Sequence, residues 1–522
     1  MHKLWIYVVV LAMLGMVGAI GCNSTQLARP TLVFARAGNT QAIVTWQAPG
    51  GSSPITEYVV TSHSSSGNPV TTTTTPSVLV ATVIGLTNNQ SYTFTVNAKN
   101  GGFIGPASDP SNAVTPTTWT RQFGTGAMDK AHSVSSDSSD NTGVYVVGNT
   151  FGTLSGPTVS TDSDAFLSKY SPSGTLNTPP WPIQFGFGLD DAATGVSASP
   201  SDQSVYVVGY TISALTSTSS GGVDAFLSKY DAKGTPLWPM IPFGTSKYDH
   251  ATGVSADLKG NAFVVGHTTG RFPNQASLGD GDAFLSKYNA SGAPLWPTIQ
   301  FGTSGNDWTS GVSADSLGNV YVVGYTTGAF PPPQTNSGAV DAFLSKYNAS
   351  GAPLWPTIQF GTSGNDLAYD VSADSFGNVY VVGYTDGAFP LPQTNSGGYD
   401  AFLSKFDASG NHVWTRQFGT ALMDLALGIS ADNFGNIYVV GQTGGSFLGP
   451  KSAMDSDAFL RMYDAAGNAI WTRQFDSVQS GLDEAGTSVS ADNFGNVYVA
   501  GWTTGALPGQ TSSGDIDAFL LK

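Results

Sequence analysis

From Trp119 onward, short segments of fixed hydrophobic pattern follow one another at a steady beat. One is apolar at almost every position, as in Asn319-Val320-Tyr321-Val322-Val323-Gly324. Such a run, bounded by turn residues, predicts a strand covered on both faces. A second, Asp-Ala-Phe-Leu-Ser-Lys-Tyr, stands verbatim at Asp164–Tyr170, Asp224–Tyr230, Asp282–Tyr288 and Asp341–Tyr347. It returns with changes at Asp400–Phe406, Asp457–Tyr463 and Asp517–Lys522, so its aspartate recurs at spacings of 60, 58, 59, 59, 57 and 60 residues. A third segment alternates and carries charge, as in Trp414-Thr415-Arg416-Gln417-Phe418, which predicts a half-exposed edge. Four of its seven copies contain proline (Pro182, Pro239, Pro297 and Pro356), which sheets tolerate essentially only at edges. A fourth, poor in large residues, precedes each apolar run, as in Gly311-Val312-Ser313-Ala314.

Four short strands in each of seven units predict an all-β, seven-bladed propeller. The small-residue segment is strand A at the channel, the apolar run strand B, the heptapeptide strand C and the proline-tolerant segment strand D. Asp374-Ser375-Phe376-Gly377-Asn378 and Asp407-Ala408-Ser409-Gly410-Asn411 supply tight A–B and C–D turns. In the heptapeptide, Ala, Phe and Leu are expected between blades, with Lys and Tyr leaving toward solvent. One blade cannot bury both its faces, whereas a ring of seven can. The array starts with a lone D segment, Trp119–Phe123, and ends on a C segment, Asp517–Lys522. The last blade is therefore expected to close with strands from both termini. Trp238–Phe243, Trp296–Phe301 and Trp355–Phe360 are one residue longer than the other D segments, which predicts a one-residue bulge in each.

Residues 29–117 lack the heptapeptide and show alternating runs at sandwich spacing, among them Ala42-Ile43-Val44-Thr45-Trp46 and Tyr92-Thr93-Phe94-Thr95-Val96. At Trp46, Tyr58, Gly85-Leu86-Thr87 through Tyr92, and Gly105-Pro106-Ala107-Ser108, this segment resembles a fibronectin type III domain. The resemblance implies that Trp46 is the core tryptophan of the second strand and Tyr92 the corner tyrosine. Through its three motifs in phase, Trp119–Lys522 resembles the bacterial β-propeller repeat family known as SBBP. That family is typical of exported proteins, and its biochemical role is largely undefined.

Met1-His2-Lys3, the apolar stretch Leu4 to Gly18, and Ala19-Ile20-Gly21-Cys22 resemble a bacterial lipoprotein signal. The resemblance implies a signal peptide over 1–21, lipidation of Cys22, a tether over 22–28, a sandwich over 29–117 and a propeller over 119–522. It also implies a membrane partner through the lipid, and an address in the cell envelope: outer membrane, cell surface or exterior. An ordinary secretory signal with an incidental cysteine is the alternative.

Composition narrows the chemistry. A net charge of −16 argues against nucleic acid and against a basic membrane-binding face. With one cysteine, no intramolecular disulfide or thiolate metal site can form. Only Glu57 and Glu484 are glutamates among 36 acidic residues, as suits a chain of turns rather than helices. An acid stands five positions before the Val or Ile of strand A in every unit: Asp129, Asp191, Asp249, Asp307, Asp366, Asp424 and Glu484. Two readings stand: carboxylates capping a turn, or a ring at the channel mouth that takes Ca²⁺, the sole cofactor in view. The heptapeptide aspartate is read as a cap for the B–C loop.

At the exits of the B strands sit Tyr210, His267, Tyr325, Tyr384 and Trp502, rings that could stack on a glycan. The B–C loops are long and individual, as in Phe330-Pro331-Pro332-Pro333-Gln334, and recognition of a glycan or protein ligand is expected there. His250 and His267 share the upper face of one blade, where a metal or acid/base pair is conceivable. No nucleophile elbow, phosphate-cradling loop or His-Glu-x-x-His is present, and no catalytic residue is assigned. The reading is a monomeric, lipid-anchored binding or scaffold platform; the alternative is an extracellular hydrolase or lyase acting on polysaccharide.

Overall fold

The computed structural model describes residues 27–522 apart from 39, 52–53, 138–142, 155–161, 187, 213–221, 333, 335–336, 450–454 and 480. The signal sequence and Cys22 lie outside the described residues. Among the described residues there is no helix long and apolar enough to cross a membrane. The chain forms two compact units, both built of strands.

Residues 31–107 form a sandwich. Thr31–Gly38, Gln41–Gln47 and Val80–Ile84 make one sheet; Thr71–Thr74, Glu57–Ser64, Tyr92–Asn100 and Phe103–Ala107 make the other. Alternation places Tyr92, Phe94, Val96 and Ala98 inside and leaves Thr93, Thr95 and Asn97 only partly covered. Trp46 is buried and packs edge-on against Tyr58 at 5.3 Å, which fits its expected core role. Thr71–Thr74 forms an edge strand with no buried residue.

Among the described residues, the second unit holds seven four-stranded antiparallel sheets. Blade 1 runs Asp129–Ser136, Val144–Thr150, Asp164–Tyr170 and Ile183–Phe185 as strands A to D, and blades 2 to 6 repeat this order. Blade 7 joins Glu484–Ala491, Val497–Thr503 and Asp517–Leu521 to Thr120–Phe123, with Ala518 opposite Phe123 and Leu521 opposite Thr120. The expected mixed closure is present.

Seven hydroxyls bind the ring from within. The Oγ atoms of Ser135, Ser197, Ser255, Ser313, Ser372 and Ser430 each accept a main-chain N–H from strand A of the next blade at 3.0–3.1 Å. Ser490 accepts from Ser136 N at 3.0 Å and completes the belt. A small hydroxyl suits strand A because the strands crowd together at the channel.

Each heptapeptide position now has a cause. The aspartate accepts the amide of the strand D glutamine (Gln300 to Asp282, 2.7 Å; Gln359 to Asp341, 2.8 Å) and N–H groups of its own B–C loop (Ser337 N to Asp341, 2.7 Å; Ser396 N to Asp400, 2.7 Å). Ala, Phe and Leu are buried between blades. The lysine and tyrosine do not leave toward solvent, which corrects the expectation. Lys169, Lys229, Lys287 and Lys346 are buried. In five blades the ammonium lies 4.3–5.2 Å from the ring centre opposite it on strand B (Tyr145, Tyr206, Phe263, Tyr321 and Tyr380). It also donates to a C–D turn carbonyl of the next blade, as Lys346 does to Ala408 O at 3.1 Å. A π face and a carbonyl replace its water. The tyrosine packs on the strand D phenylalanine of the preceding blade, as Tyr288 does on Phe243 at 5.8 Å.

Strand D also departs from expectation. A single extra residue occurs in blades 5 and 6, where Lys405 faces Trp414 while Phe406 faces His412, and Met462 faces Trp471 while Tyr463 faces Ala469. In the three longer copies the ladder breaks instead. Ile241 pairs with Leu227, and pairing resumes only at Pro236 opposite Tyr230, so strand D holds two extra residues there. Blades 3 and 4 repeat this with Ile299 and Pro294, and with Ile358 and Pro353. Pro239, Pro297 and Pro356 lie inside the gaps, where no N–H is available to continue the ladder.

Candidate functional site

The seven acids open the seven A strands, and all are buried. Their N–H groups bond to the residue before the heptapeptide of the preceding blade, as Asp307 N does to Gly281 O at 2.8 Å and Asp129 N to Ile516 O at 2.8 Å. This brings the D–A and B–C loops to one face, the upper one. The carboxylates turn into their own D–A turns: Thr125, Thr245, Thr303, Thr362 and Thr420 donate N–H to Asp129, Asp249, Asp307, Asp366 and Asp424 at 2.6–2.7 Å. Glu484 takes the Thr503 hydroxyl at 2.8 Å. Burial pushes the Asp307 carboxyl up to about 6 and that of Glu484 to about 7, against the lowering effect of these bonds. This is turn-capping geometry, one acid to each blade.

Among the described residues, one group of three carboxylates converges, beside Glu484. Asp455, Asp457 and Asp476 offer oxygens within 4.8 Å of one another. These could hold a hard cation such as Ca²⁺, whose oxygen ligands lie at about 2.3–2.6 Å. The sequence carries a signal for them. The Phe-Gly-Thr that follows strand D in blades 2 to 5 becomes Phe475-Asp476-Ser477, just before the one strand A that opens with glutamate.

Tyr210, His267, Tyr325, Tyr384 and Trp502 face, across the A–B ladder, the second residue of strand A: Ala192, His250, Trp308, Leu367 and Ala485. Over blades 2 to 4 the rings touch in sequence. Tyr210 meets His250 at 4.5 Å, His250 meets His267 at 5.1 Å, Trp308 lies flat on His267 at 4.6 Å and 9°, and Tyr325 meets Trp308 at 6.1 Å. In blade 5, Tyr369, Tyr384 and Tyr399 form a second run at 5.3 and 5.1 Å. Trp502 stands apart, with the Lys130 ammonium 4.9 Å from its ring centre. Tyr248 and Trp308 are 42% and 39% exposed, whereas His267 is buried. Sequence reasoning missed Tyr248, Trp308, Tyr369 and Tyr399. Trp308, directly after the ring acid Asp307, was the clearest available signal.

Five of these rings, His250, His267, Trp308, Tyr325 and Tyr369, line a funnel of about 550 Å³, together with His132 and Asp370 among others. Burial pushes His267 down to about 4 and His250 to about 3, the latter helped by its neighbour His267, so both are neutral at pH 7. His132 is held by Asn149 at 2.8 Å. Asp370 replaces the glycine or serine found at this place in the other A strands. It accepts Val371 N at 2.8 Å and Ile429 N at 3.0 Å, and burial pushes it up to about 7.

Comparison with known proteins agrees with the fold. The family model of the fibronectin type III domain matches residues 28–114, and that of the beta-propeller repeat, SBBP, matches 298–331, 357–390, 413–447 and 470–508. The chain is 26% identical over 368 residues to the regulatory protein FlaEY of Caulobacter vibrioides, covering 62% of this chain and 37% of that protein. It is 22% identical over 394 residues to an uncharacterized WD repeat-containing protein of Acanthamoeba polyphaga mimivirus, covering 58% of this chain and 28% of that protein. The chain thus spans well under half the length of either relative. Among solved structures, the exotype rhamnogalacturonan lyase YesX is similar with a TM-score of 0.37 and 12% identity, over 95% of this chain and 90% of that one. A fibronectin type III domain followed by SBBP beta-propeller repeats is what this chain contains.

Proposed function

We propose that the protein is an exported, lipid-anchored component of the cell envelope whose propeller is a binding platform for carbohydrate. The observation that carries this is the run of touching rings that lines the funnel, with Trp308 exposed within it and Tyr248 exposed beside His267. Flat rings fixed by neighbouring rings present an apolar face at little entropic cost, and sugar faces stack on such surfaces. Asp370 is the one carboxylate among the described residues lining the funnel. Glycoside hydrolysis ordinarily needs two carboxyls flanking the bond, so the lining favours binding over hydrolysis. Export and anchoring rest on the Ala19-Ile20-Gly21-Cys22 motif.

The test is a glycan array followed by calorimetry on the chain from Cys22 onward, with and without Ca²⁺. Trp308→Ala should abolish binding of any retained glycan while the fold persists. Undiminished binding by Trp308→Ala and Tyr248→Ala would move the site elsewhere. Labelling with radioactive palmitate, lost in Cys22→Ser, tests the anchor.

A further inference from the structure

Blade 3 places two imidazoles at the cross-strand position that opens into the funnel, where His250 and His267 face each other in register. The other blades put non-ligating or mismatched pairs there, such as Lys130 with Asn149 and Leu367 with Tyr384, so the ring itself needs no histidine pair. Packing fixes both rings, Trp308 lying flat on His267 and Tyr210 against His250. Their centres are 5.1 Å apart. Two imidazoles on one metal, with each nitrogen about 2.0–2.1 Å from it, have centres roughly 5 Å apart.

Hydrogen bonding points the same way. The Nδ1 atoms of His250 and His267 are both buried with no hydrogen-bond partner, and His267 is only 6% exposed. Buried ring nitrogens are normally paired, and an unmet one is a vacant donor or ligand. His132, by contrast, has a ring nitrogen engaged by Asn149.

We propose that His250 and His267 hold one divalent cation of the borderline class (Zn²⁺, Cu²⁺ or Ni²⁺), with water from the funnel completing its shell. Imidazole selects that class over Ca²⁺ and Mg²⁺, which take oxygen. Two protein ligands, against three or four in catalytic and structural zinc sites, make this an exchangeable site. The assignment does not rest on the carbohydrate reading.

The experiment titrates Cu²⁺ and Zn²⁺ into the full chain, purified without a histidine tag, and records calorimetry and Cu²⁺ electron paramagnetic resonance. One saturable equivalent is expected, with hyperfine coupling to two imidazole nitrogens. His250→Gln and His267→Gln should each weaken binding by about tenfold or more, and His132→Gln should leave it unchanged. Saturable binding with imidazole coupling that persists in the His250→Gln/His267→Gln double variant would overturn the proposal. So would a wild-type spectrum without imidazole coupling, a readout that does not depend on any variant folding.

Discussion

Alanine in place of Gly324 tests why each apolar B strand ends in glycine. In blade 4 the A–B register jumps from Thr309 opposite Gly324 to Gly311 opposite Val323, leaving Ser310 unmatched. This irregularity presses a carbonyl onto the glycine: a Cβ there would stand 1.9 Å from Trp308 O and 2.9 Å from Phe343 Cζ. At Gly148, Gly209, Gly266, Gly383, Gly441 and Gly501 the equivalent carbonyl oxygen would be 1.8–2.1 Å away. None of these seven has a positive φ, so the demand is for space rather than conformational freedom. The obstructing oxygen belongs to the main chain of a paired strand and cannot swing aside. Overpacking costs about 1–3 kcal/mol where side chains can adjust, and a backbone obstruction puts Gly324→Ala near about 3 kcal/mol. With roughly 400 residues unfolding together at about 2.1 cal/mol/K each, the midpoint should fall by about 3–4 °C. The assay is thermal unfolding beside Gly126→Ala, whose Cβ would meet nothing within 4 Å. Equal midpoints for the two variants would refute the steric argument.

Deleting Trp119–Phe123 should lower the propeller's melting temperature, because it strips strand C of blade 7 and uncovers Phe519; an unchanged midpoint would show that the ring does not depend on its mixed closure. Asp307 gives a pH signature, with its folded pKa raised from 3.8 to about 6 by burial. The folded chain holds the extra proton between those values. The associated stability is therefore full below about 3.8 and is lost as pH rises through 6, about 3 kcal/mol in all. Wild type should lose most of that, about 2.4 kcal/mol, relative to Asp307→Asn between pH 4 and pH 7 in urea titrations, and a pH-independent gap would count against it. Lys346→Met should cost no more than about 1 kcal/mol, since blade 6 already carries Met462 at that place; a loss above about 2 kcal/mol would mean the ammonium bond to Ala408 O matters more than its stem.

Blade count, strand order and closure were legible because they rest on local pattern and on the repeat itself. Trp119–Phe123 is recognisable as strand D beside Trp414–Phe418 without any knowledge of the ring. The heptapeptide lysine was not legible. An ammonium is ordinarily read as solvated, and the ring that shelters it is on another strand, Tyr145 opposite Lys169. The Arg461-Met462 copy hinted that the place is apolar. Strand D was misread in the same way, because counting Trp to Phe misses the irregularity already present at Val413 and Ile470. The aromatic run was half legible. The B-strand ends announce themselves, but Trp308, Tyr369 and Tyr248 join them only through pairing across strands and blades.

A seven-fold ring separates what folding requires from what it leaves free. The serine belt, the turn-capping acids and the B-strand glycines recur because every junction repeats the same contact. The pair at the upper end of the A–B ladder answers to no such contact. It is Lys130 with Asn149 in blade 1, His250 with His267 in blade 3, Trp308 with Tyr325 in blade 4 and Leu425 with Gln442 in blade 6. Random drift at a free position would scatter aromatic residues around the mouth. Here they gather in adjacent blades, touch ring to ring, and border the funnel that also receives Asp370. Neutral histidines with buried, unmet ring nitrogens and a buried carboxyl pushed to about 7 both cost stability that an apolar pair or a glycine would not. Such costs persist where they serve a site, so the function is to be sought on this arc of the upper face rather than in the residues that repeat seven times.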